Sequence, residues 1–279
     1  MRRDPLTGDE VVVVAARQKR PNLPSEGCPF CVGGLEAPEP YEVRSFANRF
    51  PPLPDDRAEV VLYSPRHDAA FWELGVDGAR RVVDLWAERT TALGSRDDVA
   101  YVLVFENRGP EVGATIPHPH GQVYAFDEVP PEPLAELGDG PCALCTPPPD
   151  AQVVASGGGW SAWVPEAATW PYELRLAPAA HEPDLPSLGD GARDGMASVL
   201  VDALARLDRL FGAPMPYMLW IHQRPTDGGS WPGAHVHVHV APLLRFAGTP
   251  RFVAAGELGS GVFFNPVDPS AAAEELRRA

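Results

Sequence analysis

Lysine is almost missing from this chain: Lys19 is the only one, so the positive charge is carried by arginine. With 23 Lys and Arg against 38 Asp and Glu, the formal net charge is −15. That balance argues against a duplex nucleic-acid partner, because such proteins need clustered cations to displace counterions. A small phosphorylated ligand held by a few arginines stays compatible with it. Long hydrophobic runs are missing as well. No stretch of about 18 apolar residues occurs, so no membrane-spanning helix is expected. Met1-Arg2-Arg3-Asp4-Pro5 lacks the apolar stretch of a signal peptide, and a cytoplasmic chain with no membrane partner is the expectation.

Cysteine is scarce too, but its placement is informative. All four residues fall in two Cys-x-x-Cys pairs, Cys28/Cys31 and Cys142/Cys145. In a cytoplasmic chain such pairs point to metal binding or redox chemistry before structural disulfides. Cys28-Pro29-Phe30-Cys31 does not sit between a strand and a long helix, as a thioredoxin-like redox motif would.

The order of features repeats. His67 follows Cys31 by 36 residues, and His181 follows Cys145 by the same 36. Each histidine ends a strand-like segment with a proline turn, residues 60–67 and 174–181. A helical pattern comes next in both halves, 78–93 and 194–210, then a β-rich run, then histidines in alternation: His118-Pro119-His120 and His235-Val236-His237-Val238-His239. Agreement in order, spacing and histidine placement indicates an internal duplication. The expected fold class is α+β: two antiparallel-sheet halves with flanking helices, residues 1–135 and 136–279, joined near the Pro/Gly-rich stretch 129–141.

Cys28, Cys31, His67 and His118 make a Cys2His2 set suited to tetrahedral Zn2+. His120 lies two residues beyond His118, so in extended chain both project to one side. A metal-held His118 would then fix the neighbouring His120. Gly121 permits close approach of a ligand, and Gln122 supplies an amide donor. Imidazole is nucleophilic at neutral pH and leaves phosphorus readily. These residues therefore fit phosphoryl-group transfer through a covalent intermediate on His120. The plain alternative is that both histidines are metal ligands and no chemistry occurs.

Pro117-His118-Pro119-His120-Gly121-Gln122 resembles the active-site signature of the galactose-1-phosphate uridylyltransferase family, duplicated members of the histidine-triad superfamily. The resemblance extends along nearly the whole chain. It includes Asp4-Pro5-Leu6-Thr7-Gly8, Arg17-Gln18-Lys19-Arg20-Pro21, Phe46-Ala47-Asn48-Arg49-Phe50 and Phe105-Glu106-Asn107-Arg108-Gly109. In the second half it includes Pro216-Tyr217, His222, the run His237 to His239 with Pro242 to Arg245, and Arg251, Phe252 and Glu257.

The resemblance implies a duplicated histidine-triad-like fold and a ping-pong transfer of UMP from UDP-glucose to galactose 1-phosphate through a uridylyl-His120 intermediate, giving UDP-galactose. It also implies roles: Gln122 and Asn107 toward the phosphates, Asn48 toward uridine, Arg251 and Glu257 toward the hexose phosphate. The implied assembly is a homodimer whose active sites are completed across the interface. One position departs: Arg49 stands where many members carry an acidic residue.

For a second metal, the internal repeat favours Cys142, Cys145, His181 and His237. The family pattern offers instead Glu136, His222, His237 and His239. Two other readings remain at this stage: a related phosphorylase acting on an ADP-sugar or a dinucleoside polyphosphate, and a non-catalytic double zinc module.

Overall fold

The computed structural model of the protein describes residues 2–19, 27–137 and 142–279. Arg20 and Pro21 of the opening motif lie outside the described residues. Near the N-terminus, β1 (Arg2–Arg3) and β2 (Glu10–Val11) form a small antiparallel ladder. The first half then supplies β3 (Arg44–Ala47), β4 (Ala58–Leu62), helix α1 (Gly75–Gly94), β5 (Tyr101–Arg108) and β6 (His120–Phe126). A short helix, α2 (Pro131–Glu136), occupies the junction. The second half supplies β7 (Val153–Gly157), β8 (Trp160–Trp163), β9 (Leu174–Pro178), helix α3 (Asp190–Leu210), β10 (Tyr217–His222) and β11 (His237–Pro242).

The expected duplication is visible as β4-α1-β5-β6 repeated in β9-α3-β10-β11. The two halves do not keep separate sheets. They merge into one antiparallel sheet of nine strands in the order β3-β4-β6-β5-β10-β11-β9-β8-β7. The seam is the pairing of β5 with β10, where Asn107 faces Met218 and Phe105 faces Trp220. Arg108 reinforces it from β5 by a fork to both carboxylate oxygens of Asp208 on α3, at 2.5 and 2.9 Å.

Period-two alternation decides which side of the sheet is dry. Along β6, Gly121, Val123 and Ala125 are buried while His120, Gln122, Tyr124 and Phe126 are only partly covered. The buried side packs against α1 and α3, which lie against each other. Val82, Val83 and Trp86 of α1 and Met196, Leu200 and Leu204 of α3 join Val104, Val123, Leu219 and Val238 in one core. Trp86 is fully buried and stacks on Phe71 at 5.8 Å. Each such aromatic stabilises the fold by roughly 2–3 kcal/mol through lost apolar exposure. The opposite face of the sheet carries no helix of this pair, and the chemistry-bearing side chains project there.

Beyond β11 the chain makes an arm: β12 (Leu244–Phe246), β13 (Thr249–Pro250) and α4 (Ala255–Ser260). Helix α5 (Pro269–Arg278) then returns to the core. Its N-terminus is capped by Asp268, which accepts from the backbone N–H groups of Ser270 and Ala271. Ala272, Ala273 and Leu276 bury its inner face.

Candidate active site and metal centres

Cys28, Cys31, His67 and His118 converge as the spacing implied, with their ligand atoms clustered. Cys31 Sγ lies 3.5 Å from His67 Nδ1 and 3.7 Å from His118 Nδ1, and Cys28 Sγ lies 3.7 Å from His118 Nδ1. A sulfur and a nitrogen bound to one tetrahedral Zn2+ stand about 3.6 Å apart, so the four residues fit that ion. His118 Nε2 is 2.7 Å from the Ser64 carbonyl. Donation there assigns the ring proton to Nε2 and leaves Nδ1 as the ligand atom, the usual outer-shell arrangement for a metal-bound histidine. Burial lowers the pKa of His118, which keeps the ring neutral.

Strand β6 begins at His120. Its Nδ1 lies 2.7 Å from the main-chain oxygen of His118. With the proton on Nδ1, the lone pair belongs to Nε2. His118 therefore fixes His120 through its backbone, and Phe30 packs against the His120 ring at 5.2 Å.

His120 lines a cavity of about 730 Å³ together with Gln122, Asn48, Asn107 and Tyr124. Gln122 Oε1 accepts from Asn48 Nδ2 at 3.3 Å and from the Tyr124 hydroxyl at 3.2 Å. Its carbonyl is thereby engaged, and its amide protons are what it has to offer an oxyanion. Gly121 is required sterically, because a Cβ there would meet the Tyr63 hydroxyl at 2.1 Å. The cavity is also lined by Phe30, Phe46 and Arg17, which stand in motifs that the sequence displays but to which it assigns no individual role. Phe30 had a signal, since it sits inside the first Cys-x-x-Cys.

In the second half, Cys142, Cys145 and His181 come together as expected, but the fourth partner is His235 and not His237. His235 Nδ1 lies 3.4 Å from Cys142 Sγ and 3.8 Å from Cys145 Sγ, and His181 Nδ1 lies 3.2 Å from Cys145 Sγ. His235 Nε2 faces the Pro178 carbonyl at 3.0 Å, as His118 faces that of Ser64. The correction has a physical reason: the first histidine of each alternating run precedes its strand, where the chain can turn it toward the cysteines. His237 opens β11 and stays on the sheet.

The two candidate second sets are thus two separate centres. His237 joins Glu136, His222 and His239 in a third cluster. Glu136 Oε2 lies 2.7 Å from His222 Nδ1 and 3.1 Å from His237 Nε2, while Oε1 lies 3.5 Å from His239 Nε2. Burial would raise the Glu136 pKa, but hydrogen bonds from His222 and His237 overcome it and hold the carboxyl well below its usual range. His239 Nε2 is buried without a hydrogen-bond partner, and burial lowers its pKa to about 2. A neutral imidazole aimed at a carboxylate-bearing cluster fits a cation site.

Arg251 and Glu257 are not brought to the His120 cavity. They lie in the arm and bond to each other, with Arg251 over the Trp170 ring at 4.7 Å. Glu257 also accepts from the backbone N–H groups of Ala254 and Phe264. Around this buried pair, Phe246, Phe252, Leu258 and Phe264 are each more than half exposed.

A duplicated sheet, a Cys2His2 cluster and a backbone-oriented histidine over a polar cavity define a nucleotidyl-transfer enzyme of the histidine-triad-like class. Residues 54–130 match the N-terminal domain of galactose-1-phosphate uridyl transferase, and residues 149–258 match its C-terminal domain. The chain belongs to the galactose-1-phosphate uridylyltransferase family. It is 35% identical to the galactose-1-phosphate uridylyltransferase of Thermotoga maritima, covering 99% of this chain and 97% of that one. It is 37% identical to the Streptomyces lividans protein of the same name, over 99% and 86%. Among solved structures, a uridylyltransferase superposes with a TM-score of 0.90 at 27% identity, covering 99% of this chain and 96% of that one. An ADP-glucose phosphorylase from Arabidopsis thaliana with bound ADP-glucose gives 0.80 at 25% identity, over 100% and 98%. No helix among the described residues is long and apolar enough to cross a membrane.

Proposed function

We propose that the protein exchanges UMP between UDP-glucose and galactose 1-phosphate by a double displacement on His120. The observation that carries this reading is the 2.7 Å contact from His120 Nδ1 to the His118 carbonyl. It directs Nε2 as nucleophile in a cavity that also holds Gln122, Asn48 and Asn107. Nε2 attacks the α-phosphorus of UDP-glucose, the bond to the β-phosphate oxygen breaks, and glucose 1-phosphate leaves. A phosphate oxygen of galactose 1-phosphate then attacks the same phosphorus. The N–P bond breaks, UDP-galactose forms and His120 is regenerated. Gln122 and Asn107 donate to the phosphoryl oxygens as charge builds on them, and such preorganised donors contribute several kcal/mol to a transition state. Asn48, tied to Gln122, meets the uridine.

Cys28, Cys31, His67 and His118 would hold Zn2+, which when bound locks the segment whose backbone orients His120. Cys142, Cys145, His181 and His235 form a second zinc-type set, and Glu136, His222, His237 and His239 a harder, mixed one suited to a divalent cation. Arg251 and Glu257 brace the apolar arm, which suits a homodimer in which the arm reaches the other subunit's cavity and its hexose phosphate. The two halves meet at the junction helix, near residues 135 and 136, and the chain works in the cytoplasm.

Mass spectrometry of the protein mixed with UDP-glucose alone tests this reading. An added UMP that maps to His120 is the expected result. An adduct on another residue, or labelling from ADP-glucose only, would overturn it.

A further inference from the structure

Among the described residues that line the His120 cavity, Glu36 is the only carboxylate. A negative charge in a cavity built for phosphates needs a reason, since like charges close together repel. Glu36 belongs to the tight loop that follows Cys31. Its backbone N–H donates to the Pro29 carbonyl at 2.9 Å, and Gly33 N–H donates to that of Ala37 at 2.8 Å. Ala37 is fully buried with Phe30, Val60 and Leu62. The loop is thus clamped to the same segment that carries Cys28 and Cys31. Arg49 lies across from the carboxylate, its Nε 3.7 Å from Glu36 Oε1.

Position on the sheet separates the two ends of the cavity. Gln122 of β6 is level with Val60 of β4, which is level with Phe46 of β3. In the other direction Gln122 is level with Phe105 of β5, two residues from Asn107. The β3 side is walled by Phe30, Phe46, Phe50 and Val60, suited to a base, while the β5 side offers Asn107 and the loop around Gly113 and Thr115. Glu36 is paired with Arg49, which follows the end of β3 directly after Asn48, and this contact puts it at the β3 end of the cavity. The side chain of Glu36 is 21% exposed, so it is largely covered while its partner Arg49 is open to solvent. It joins none of the three metal-type clusters.

We propose that Glu36 is the specificity residue for the sugar of the nucleotide: its carboxylate accepts hydrogen bonds from the vicinal hydroxyls of the ribose, and Arg49 holds it in place. This assignment rests on the nucleotidyl-transfer reading above. A carboxylate is acceptor-only with two oxygens, matched to two adjacent hydroxyl donors. The neutral diol lets the charge stay in the cavity without meeting phosphate. Arg49, paired with the carboxylate, limits the directions in which it can swing. The contact discriminates ribose from deoxyribose, since a site built to bond a hydroxyl leaves its own polar group unpaired when that hydroxyl is missing.

Calorimetric binding of UMP and 2′-deoxy-UMP to the wild type and to Glu36→Gln tests this without requiring turnover. The wild type is expected to prefer UMP by about ten- to a hundred-fold, the size of a hydrogen bond to a charged acceptor. In Glu36→Gln that preference falls to within a few-fold of unity, while zinc content and thermal midpoint stay at wild-type values. An unchanged preference in the variant, or equal weakening of both nucleotides, would overturn the assignment, as would a wild type that binds neither. AMP and 2′-deoxy-AMP run alongside keep the two proposals apart. If only the adenine pair binds, the uridylyl reading fails while the ribose contact is still read from that pair.

Discussion

His237 repeats in the second half the hydrogen bond that orients His120 in the first. Each ring turns Nδ1 to the main-chain oxygen two residues earlier, at 2.8 Å for His237 and 2.7 Å for His120. The sheet register extends the match. Trp220 faces His239 as Phe105 faces Gln122, which makes His239 the counterpart of Gln122 and His222 the counterpart of Asn107. The positions that match His120, Gln122 and Asn107 are therefore all histidine in the second half, and Glu136 from the junction helix closes over them.

Two substitutions separate the twin histidines. His120→Ala should abolish the UMP adduct and all exchange, with zinc content unchanged. His237→Ala should leave the adduct on His120 intact and remove one metal from the chain. Mass spectrometry and elemental analysis read both; an adduct surviving in His120→Ala would refute the assignment of the nucleophile.

Metal stoichiometry checks the three clusters. Protein purified without chelator should carry close to three ions per chain. Cys142→Ser and His235→Ala should each remove the same single ion, while His222→Ala and His239→Ala remove a different one. If His235→Ala and His237→Ala instead cost the same ion, the two sets are not separate. Loss of a zinc-type site should also lower the thermal midpoint by several degrees, because binding free energy at such sites is folding free energy.

Much of this arrangement was legible in the sequence, and the gaps have physical causes. The 36-residue interval and the alternating histidines revealed the duplication and the first Cys2His2 set, because local spacing survives folding. The exchange of His235 for His237 was not legible, since it depends on where the strand begins, and a two-residue shift in a ligand leaves the spacing pattern nearly intact. The single sheet was hidden for another reason: the β5–β10 seam joins residues more than a hundred apart and depends on neither half alone. Glu36 gave no pattern at all. Its meaning appears only when the cavity shows it to be the lone acid among the described lining residues, which are otherwise neutral, basic or apolar.

Glu106 sets a pH dependence of stability. It is buried on the helix-covered face, bonded to the Tyr217 hydroxyl at 2.8 Å. Burial raises its pKa from 4.5 to about 7, against the opposing hydrogen bond from Tyr217 and the charge of Arg108. Between those two pH values the folded chain holds a proton that the unfolded chain has released. Stability should fall as pH rises through that window and level off above it, by an amount on the order of 3 kcal/mol. Glu106→Gln should flatten this part of the profile. Urea midpoints at pH 5 and pH 8 give the comparison, and parallel profiles for the two proteins would rule the effect out.

The arm offers a test of assembly. Phe252 is 78% exposed beside the buried Arg251–Glu257 pair. Phe252→Asp should shift the protein toward monomer in sedimentation while leaving the monomer fold unchanged by circular dichroism. Glu257→Ala, which leaves Arg251 without its carboxylate, should loosen the arm and weaken association too. An unaltered sedimentation profile in both would place the interface elsewhere.

The seam between β5 and β10 has a further consequence for how such a chain can be divided. Cutting it in the junction would produce two fragments, each with a long bare strand edge in the middle of what had been the sheet. Edges of that kind recruit other strands and aggregate. The halves repeat one order of elements, yet neither is expected to be soluble alone as a miniature of the whole. Production of the two fragments in one cell, each guarding the other's edge, should let a split version fold.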